Sequence, residues 1–419
     1  MIETNFIDTE IGCVPADWAV KRLGDYTEIF RGGSPRPIES YLTKNPDGIN
    51  WIKIGDVGIN DKYIRKTEEK IIKEGASHSR AVSKGDFILS NSMSFGRPYI
   101  LDIDGCIHDG WLVIKNYQSS YDKDFLYYAL SSNQVFDQYI AMAAGSSVKN
   151  LSKDKVADVR IAAPSSLPEQ RRIASALSSI DNLISALDKL IEKKCAIKTG
   201  AMQELLGGKR RVKGCEGEWK WMRLGDCANI LRGGSPRPIE SYLTTNPDGV
   251  NWIKIGDVRP NDKYIRQTEE KIKREGAPHS REVSKGDFIL SNSMSFGRPY
   301  ILDIEGCIHD GWLVIKDYQS TYDKDFLYYI LSSTSVFEQY VAMAAGSSVK
   351  NLSKDKVADV VIFAPISLTE QRAIASVLTA MDDELAALEA KKAKYVALKQ
   401  GMMQQLLMGK IRLIDSSAK

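Results

Sequence analysis

The chain is written twice. Arg31-Gly-Gly-Ser-Pro-Arg-Pro-Ile-Glu-Ser-Tyr41 returns as Arg232 to Tyr242, an offset of 201 residues (232 − 31). Trp51 returns at the same offset as Trp252, His78 as His279, Asn91 as Asn292, Gly145 as Gly346 and Gln170 as Gln371. From about residue 18 to 209 the second copy follows the first with no insertion or deletion. A period this long describes two whole modules rather than a solenoid. At 419 residues the chain can give each module its own core.

Each module closes with a long amphipathic run. The first, Ser166 to Gly208, opens on the capping-box pattern Ser166-x-x-Glu169, with Pro168 in the first turn. Apolar residues then alternate in steps of four and three: Ile173, Leu177, Ile180, Ile184, Leu187, Ile191. That is the seam of a helix packed along another helix, and Gly207-Gly208 ends it. The second, Ser367 to Gly409, has the cap Ser367-x-x-Glu370 and the seam Ile374, Leu378, Met381, Leu385, Leu388. Roughly 40 residues make a rod of about 60 Å, and each rod is the natural partner of the other. The second module must run from the end of the first rod to the start of the second. Antiparallel rods place those points side by side, whereas parallel rods would separate them by the full length. The expected molecule is quasi-circular, with a pseudo-two-fold axis across the rods. The seam is interrupted at Lys194 and Lys198, matched by Tyr395 and Lys399. That far part of the rod reads as an exposed docking face for partner subunits.

The rest of each module reads as mixed α+β, strand-rich. Asn50–Ile54 alternates like a half-buried strand after the turn Asn45-Pro-Asp-Gly48. Asp86–Ser90 and Trp111–Ile114 are further strands. Helices are expected over Asp124–Ser131 and Val135–Ala144, with a short one opening at Leu151–Asp154. Arg160–Pro164 leads into the rod. The expected division is a globular domain over 1–165, a rod over 166–208, a second domain over 209–366, a second rod over 367–409, and a tail over 410–419.

Several chemistries find no footing. The six cysteines, Cys13, Cys106, Cys195, Cys215, Cys227 and Cys307, form no Cys-x-x-Cys pair, so neither a disulfide framework nor a zinc site is indicated. Phosphate-loop, dinucleotide, zincin and nucleophile-elbow motifs are missing, and no cofactor is expected. The four histidines, His78, His108, His279 and His309, have no triad around them. No apolar run reaches the ~20 residues of a membrane span, and Met1–Glu10 is acidic without a signal-peptide pattern, which points to the cytoplasm. A net charge of +3 is compatible with nucleic-acid binding through local clusters but does not argue for it. One enzymatic pattern is present: Pro46-Asp47 with Glu68-Glu-Lys70, repeated as Pro247-Asp248 with Glu269-Glu-Lys271, loosely matches Mg²⁺-dependent nucleases. Against it, Asp47 lies in a turn and Glu68–Lys70 reads as a solvated, helix-like charge run.

Three stretches offer nucleic-acid chemistry, each with a plainer structural alternative. Arg31, Ser34 and Arg36 lie in a glycine-rich loop able to approach a backbone closely; it also reads as a tight turn. Asn91, Ser92, Ser94 and Arg97 supply side chains that read base edges, or form an ordinary β-turn. Lys149 and Lys153 flank a helix start and suit phosphates, or make a solvated face. The copies are Arg232, Ser235, Arg237, Asn292, Ser293, Ser295, Arg298, Lys350 and Lys354.

Taken in order, these motifs resemble the specificity (DNA-recognition) subunit of type I restriction–modification enzymes. The resemblance rests on Gly12-x-x-Pro15-x-x-Trp18, Arg22-Leu-Gly24, Arg31-Gly-Gly-Ser-Pro35 and Trp51-Ile-x-Ile-Gly-Asp56. It continues through Gly145-Ser-Ser-x-x-Asn150-Leu-Ser152 and Pro164-x-x-Leu-Pro-Glu-Gln170-x-x-Ile173, and nearly the whole set recurs in the second copy. It implies a non-catalytic subunit with two target-recognition domains joined by paired spacer helices, each domain taking half of a bipartite double-stranded DNA site. Two adenine-methyltransferase subunits and the restriction/translocase subunits would assemble on the helices. Family recognition domains commonly differ from each other, whereas Asn91–Gly110 matches Asn292–Gly311 with one change, Asp104 to Glu305. Like modules imply like half-sites, an interrupted palindrome. A nuclease and a non-DNA coiled-coil scaffold are the competing readings.

Overall fold

The computed structural model describes residues 5–58, 61–91, 95–143, 151–259, 262–292, 297–344 and 352–414. The chain divides into two compact units, residues 1–188 with 391–419, and residues 189–390.

The first unit begins with a hairpin, β1 (Phe6–Thr9) and β2 (Gly12–Pro15). β3 (Trp18–Arg22) follows, then β4 (Glu28–Arg31), β5 (Leu42–Thr43), β6 (Ile49–Ile52), β7 (Tyr63–Ile64) and β8 (Glu69–Ile71). After the single turn α1 (Lys73–Ala76) come β9 (Arg80–Val82), β10 (Phe87–Ser90), β11 (Pro98–Leu101), β12 (Gly105–Ile107) and β13 (Trp111–Lys115). Helices α2 (Lys123–Leu130), α3 (Asn133–Ala143) and α4 (Lys153–Ala157) precede β14 (Arg160–Pro164).

Two five-stranded sheets result, ordered β4-β13-β10-β11-β7 and β5-β8-β6-β12-β9; β3 and β14 form a separate ribbon. The first sheet is buried on both faces, which is why Phe87–Leu89 and Trp111–Ile114 read as unbroken apolar runs. Phe87, Leu89, Leu112 and Ile114 face the helices. Ile88, Tyr99, Trp111 and Val113 face the second sheet, against Ile52, Val82 and Ile107. Glu68–Lys70, expected as helix-like, is instead largely strand: β8 pairs with β6 through Trp51↔Glu69 and Ile49↔Ile71. Pairing and the burial of Ile71 outweigh its charged neighbours.

The second unit repeats this plan, with sheets of the same order and the ribbon Trp219–Arg223 with Val361–Pro365. It has no counterpart of the β1–β2 hairpin among its described strands.

The rods are real helices, Leu167–Leu206 and Leu368–Leu406, ended at glycines 208 and 409 in the left-handed region. Each crosses from one unit into the other, so each unit holds the first part of one and the last part of the other. In the first unit Asp181 pairs with Lys399 and Asp188 with Lys392; seven residues forward on one helix are seven back on the other. In the second, Lys194 meets Glu384 and Lys198 meets Asp382. Both segments therefore pack antiparallel. The lysines that interrupt the seam, Lys194, Lys198 and Lys399, are thus paired across it, while Ile197 and Leu398 beside them remain exposed.

The capping-box reading also needs correction. Both carboxylate oxygens of Glu169 accept from Arg412, at 2.7 and 2.9 Å, and Glu370 is held the same way by Arg211. Arg412 also grips Asp17, joining the chain's last described stretch to its first module. The adjacent Gln170 is fully buried; it accepts from the Asp122 backbone N–H and donates to the Ser120 and Pro164 carbonyls. Thus the Pro-Glu-Gln segment bolts the helix start to its module. No helix among the described residues is long and apolar enough to cross a membrane.

Candidate nucleic-acid interface

Three of the singled-out stretches converge on one turn, His108–Gly110. β4 runs beside β13 with Arg31 opposite Leu112, and the Gly32 and Gly33 N–H groups donate to the Trp111 and Ile107 carbonyls. A Cβ on Gly32 would lie 2.0 Å from the His108 carbonyl oxygen, so only glycine fits. The tight-turn reading accounts for the glycines, and it leaves the arginines outward. Arg31 and Arg36 are both exposed, Arg36 at 81%.

Asp109 organises this edge, and sequence inspection missed it. Its carboxylate accepts from the Ser34 hydroxyl (2.9 Å) and pairs loosely with Arg36 (3.4 Å); its carbonyl accepts from Arg31 (3.4 Å) and from the Asn91 amide (2.9 Å). Partial burial opposes ionisation, but the Ser34 hydroxyl, His108 and Arg36 hold the carboxyl below its usual value. Asn91 is only 3% exposed, and its amide is committed to the turn. Arg80, also missed, donates to the Arg31 carbonyl and lies over the Phe30 ring at 5.0 Å, adding a third exposed cation. A shallow pocket lined by Ser34, Pro35, Arg36, Ile38, Trp51, His108 and Asp109 sits beside them. Burial pushes the His108 imidazole below its usual value, and its Nδ1 accepts from Gly110 N–H at 2.6 Å.

Arg97 closes the neighbouring loop. Its N–H donates to Ser90 Oγ, and its side chain is half-buried beside Tyr99. Arg298, its copy, is exposed. Lys153 is exposed in the first turn of α4, and the preceding Leu151 N–H donates to the Asn91 carbonyl, placing that segment next to the turn. Ser92, Ser94, Lys149, Ser293, Ser295 and Lys350 lie outside the described residues. In the second unit Ser235, Arg237 and Asn292 surround Asp310 with matching bonds, Arg232 is again exposed, and Lys354 again opens a short helix.

Of the nuclease-like residues, the lysine and the turn aspartate are neighbours, and the Glu69 side chain is engaged elsewhere. Lys70 Nζ donates to the Pro46 carbonyl, Glu69 pairs with Lys53 (2.8 Å), and the Asp47 N–H closes a turn on Asn45. Among the described residues no group of three or more histidine, cysteine or acidic side chains is placed to hold a metal. The turn therefore offers paired arginines, a serine and one orienting carboxylate on a rigid sheet edge. Groups of this kind are able to hold phosphates and base edges.

Comparison with known proteins agrees. The family model for the type I restriction modification DNA specificity domain matches twice, over residues 15–194 and 216–397. The MjaX protein of Methanocaldococcus jannaschii, provisionally named a type I restriction enzyme specificity subunit, is 28% identical over 98% of this chain and 97% of its own. The MjaVIII specificity subunit of the same organism is 23% identical over the same shares. Among solved structures, a chain from a study of type I R-M complex assembly and conformational transition superimposes with a TM-score of 0.62 at 19% identity, covering 95% of this chain and 99% of that one. The S subunit from M. genitalium gives 0.56 at 15% identity, covering 97% of each. The chain belongs to the type I restriction–modification specificity family, the non-catalytic subunits that recognise the DNA target.

Proposed function

We propose that the two modules read like half-sites of an interrupted palindrome in double-stranded DNA. Residues 1–165 and 209–366 act as the recognition domains, and 166–208 and 367–409 as the spacer. The observation carrying this is the sameness of the two recognition edges. Arg31–Tyr41 and Arg232–Tyr242 are identical, and Asn91–Gly110 differs from its copy only at Asp104/Glu305. Like readers set on an antiparallel helix pair suit the dyad of duplex DNA. Arg31, Ser34, Arg36, Arg97 and their copies contact bases; Lys149, Lys153, Lys350 and Lys354 contact phosphates; Asn91 and Asn292 hold the turn. Binding weakens steeply with salt, as phosphate neutralisation requires. The chain works in the cytoplasm, carrying two methyltransferase subunits and the restriction/translocase subunits and needing no cofactor of its own. Mapping the adenines methylated by the assembled complex tests this. One half-site sequence recurring on opposite strands is expected; two unrelated half-sites would overturn it.

A further inference from the structure

In the first unit one carboxylate joins three elements. Asp181, on the first long helix, accepts a 2.6 Å hydrogen bond from the Tyr128 hydroxyl of α2 and pairs at 2.6 Å with Lys399 of the second long helix. Ser178 adds a contact to the same hydroxyl at 3.2 Å. Tyr128 is 1% exposed, and Lys62 sits 4.8 Å from its ring centroid while pairing with Asp124. In the second unit the cluster recurs: Tyr329 donates to Asp382 at 2.6 Å, Asp382 pairs with Lys198, and Thr379 stands for Ser178. These lysines are the residues that interrupt the apolar seam.

Leu would pack better than a lysine in a seam, so the polar layer calls for a role of its own. Gln170 already attaches the module to the start of the helix. Asp181 lies eleven residues on, about 16 Å along the axis. Ile173, Ala174 and Leu177 add apolar packing over the next two turns, and the Asp181 link extends the attachment beyond them, giving a longer lever against swing. Helix α2 also packs against β11, the strand entered directly from Arg97. The clamp thus stands behind the recognition edge.

We propose that Tyr128–Asp181–Lys399 and Tyr329–Asp382–Lys198 are positioning residues that fix each module's direction on its helix pair and thereby set the half-site spacing accepted. This rests on the bipartite reading proposed above.

The test uses the full chain assembled with its methyltransferase and a duplex library in which the spacing changes by single base pairs. Tyr128→Phe with Tyr329→Phe keeps both rings and removes only the link. Discrimination against spacers one base pair too long or short is expected to fall about tenfold, the equivalent of one charge-assisted hydrogen bond, with the half-site sequence unchanged. Ile180→Val, which loosens the seam beside the clamp, should leave the spacing profile intact. An unchanged profile in the tyrosine variant, or equal broadening by Ile180→Val, overturns the proposal. If the tyrosine variant does not fold, Lys399→Met with Lys198→Met severs the same cluster from the other helix and is judged by the same outcomes. Failure of the unaltered chain to direct methylation at any bipartite site would overturn the bipartite reading, and with it the clamp's role.

Discussion

The recognition edge and the ribbon at the base of each module have had different histories within one chain. At the edge, Arg31–Tyr41 and Asn91–Gly110 are almost letter-for-letter repeats of their copies. At the ribbon, Val20 faces Ala162 in the first unit where Trp221 faces Phe363 in the second, and Arg160 is replaced by Val361. The covering segments explain the difference. In the first unit the β1–β2 turn reaches the ribbon: Glu10 pairs with Arg160 at 2.9 Å, and the Ile11 carbonyl accepts from Gln134. In the second, where no such hairpin is described, Trp221 and Phe363 stack with ring centroids 4.9 Å apart, and Trp221 remains 69% exposed. A surface varies where its neighbours vary. An edge that stays the same in both copies is expected where both meet the same ligand.

The largest expected effect breaks that equivalence on one side. Arg31→Ala with Arg36→Ala should weaken binding to the full site by about 100-fold or more, at roughly 1–3 kcal/mol per base-reading contact. Arg232→Ala with Arg237→Ala should match it within about threefold. Anisotropy titrations showing losses more than tenfold apart would make the modules inequivalent. Next comes stability. Glu169→Ala removes one of the two carboxylates that hold Arg412, leaving Asp17, and should cost about 2 kcal/mol in urea unfolding. Glu370→Ala should cost less, since Arg211 is one-third exposed.

These two residues show what was and was not legible in the sequence. The repeat and the rods were legible because identity and the 3.5-residue seam are read directly from the residues, and the antiparallel pairing because the second module must run from the end of one rod to the start of the other. The role of Glu169 was not, because its partner Arg412 lies 243 positions away, and a Ser-x-x-Glu start fits a capping box equally well. Asp109 was invisible for a similar reason: one aspartate in a four-residue turn shows no pattern until Ser34, Arg36 and Asn91 are brought to it. Lys198 and Lys399 were visible as interruptions of the seam, but only the opposing carboxylates show them to be paired rather than outward.

The ribbon supplies a mid-sized test. Val20→Trp must displace the packing that half-buries Val20 and should cost about 2 kcal/mol. Smaller again, Arg298→Ala should relax half-site discrimination by about tenfold. Arg97→Ala should do less, because Arg97 is half-buried beside Tyr99 while its copy is exposed. Equal weakening on all sequences would instead mark these arginines as phosphate contacts. Smallest of all, Trp221→Val should shift stability by less than about 0.5 kcal/mol, as expected for a side chain largely in water.

The equivalence of the two edges is tested most directly by presenting the half-site in two orientations. Affinity of the assembled complex would be measured for duplexes carrying the same half-site as an inverted repeat and as a direct repeat, at matched spacing and fixed salt. Two like readers on an antiparallel pair predict a preference of about 100-fold or more for the inverted repeat, one half-site's worth of base contacts. Equal affinity, or a preference for the direct repeat, would contradict it.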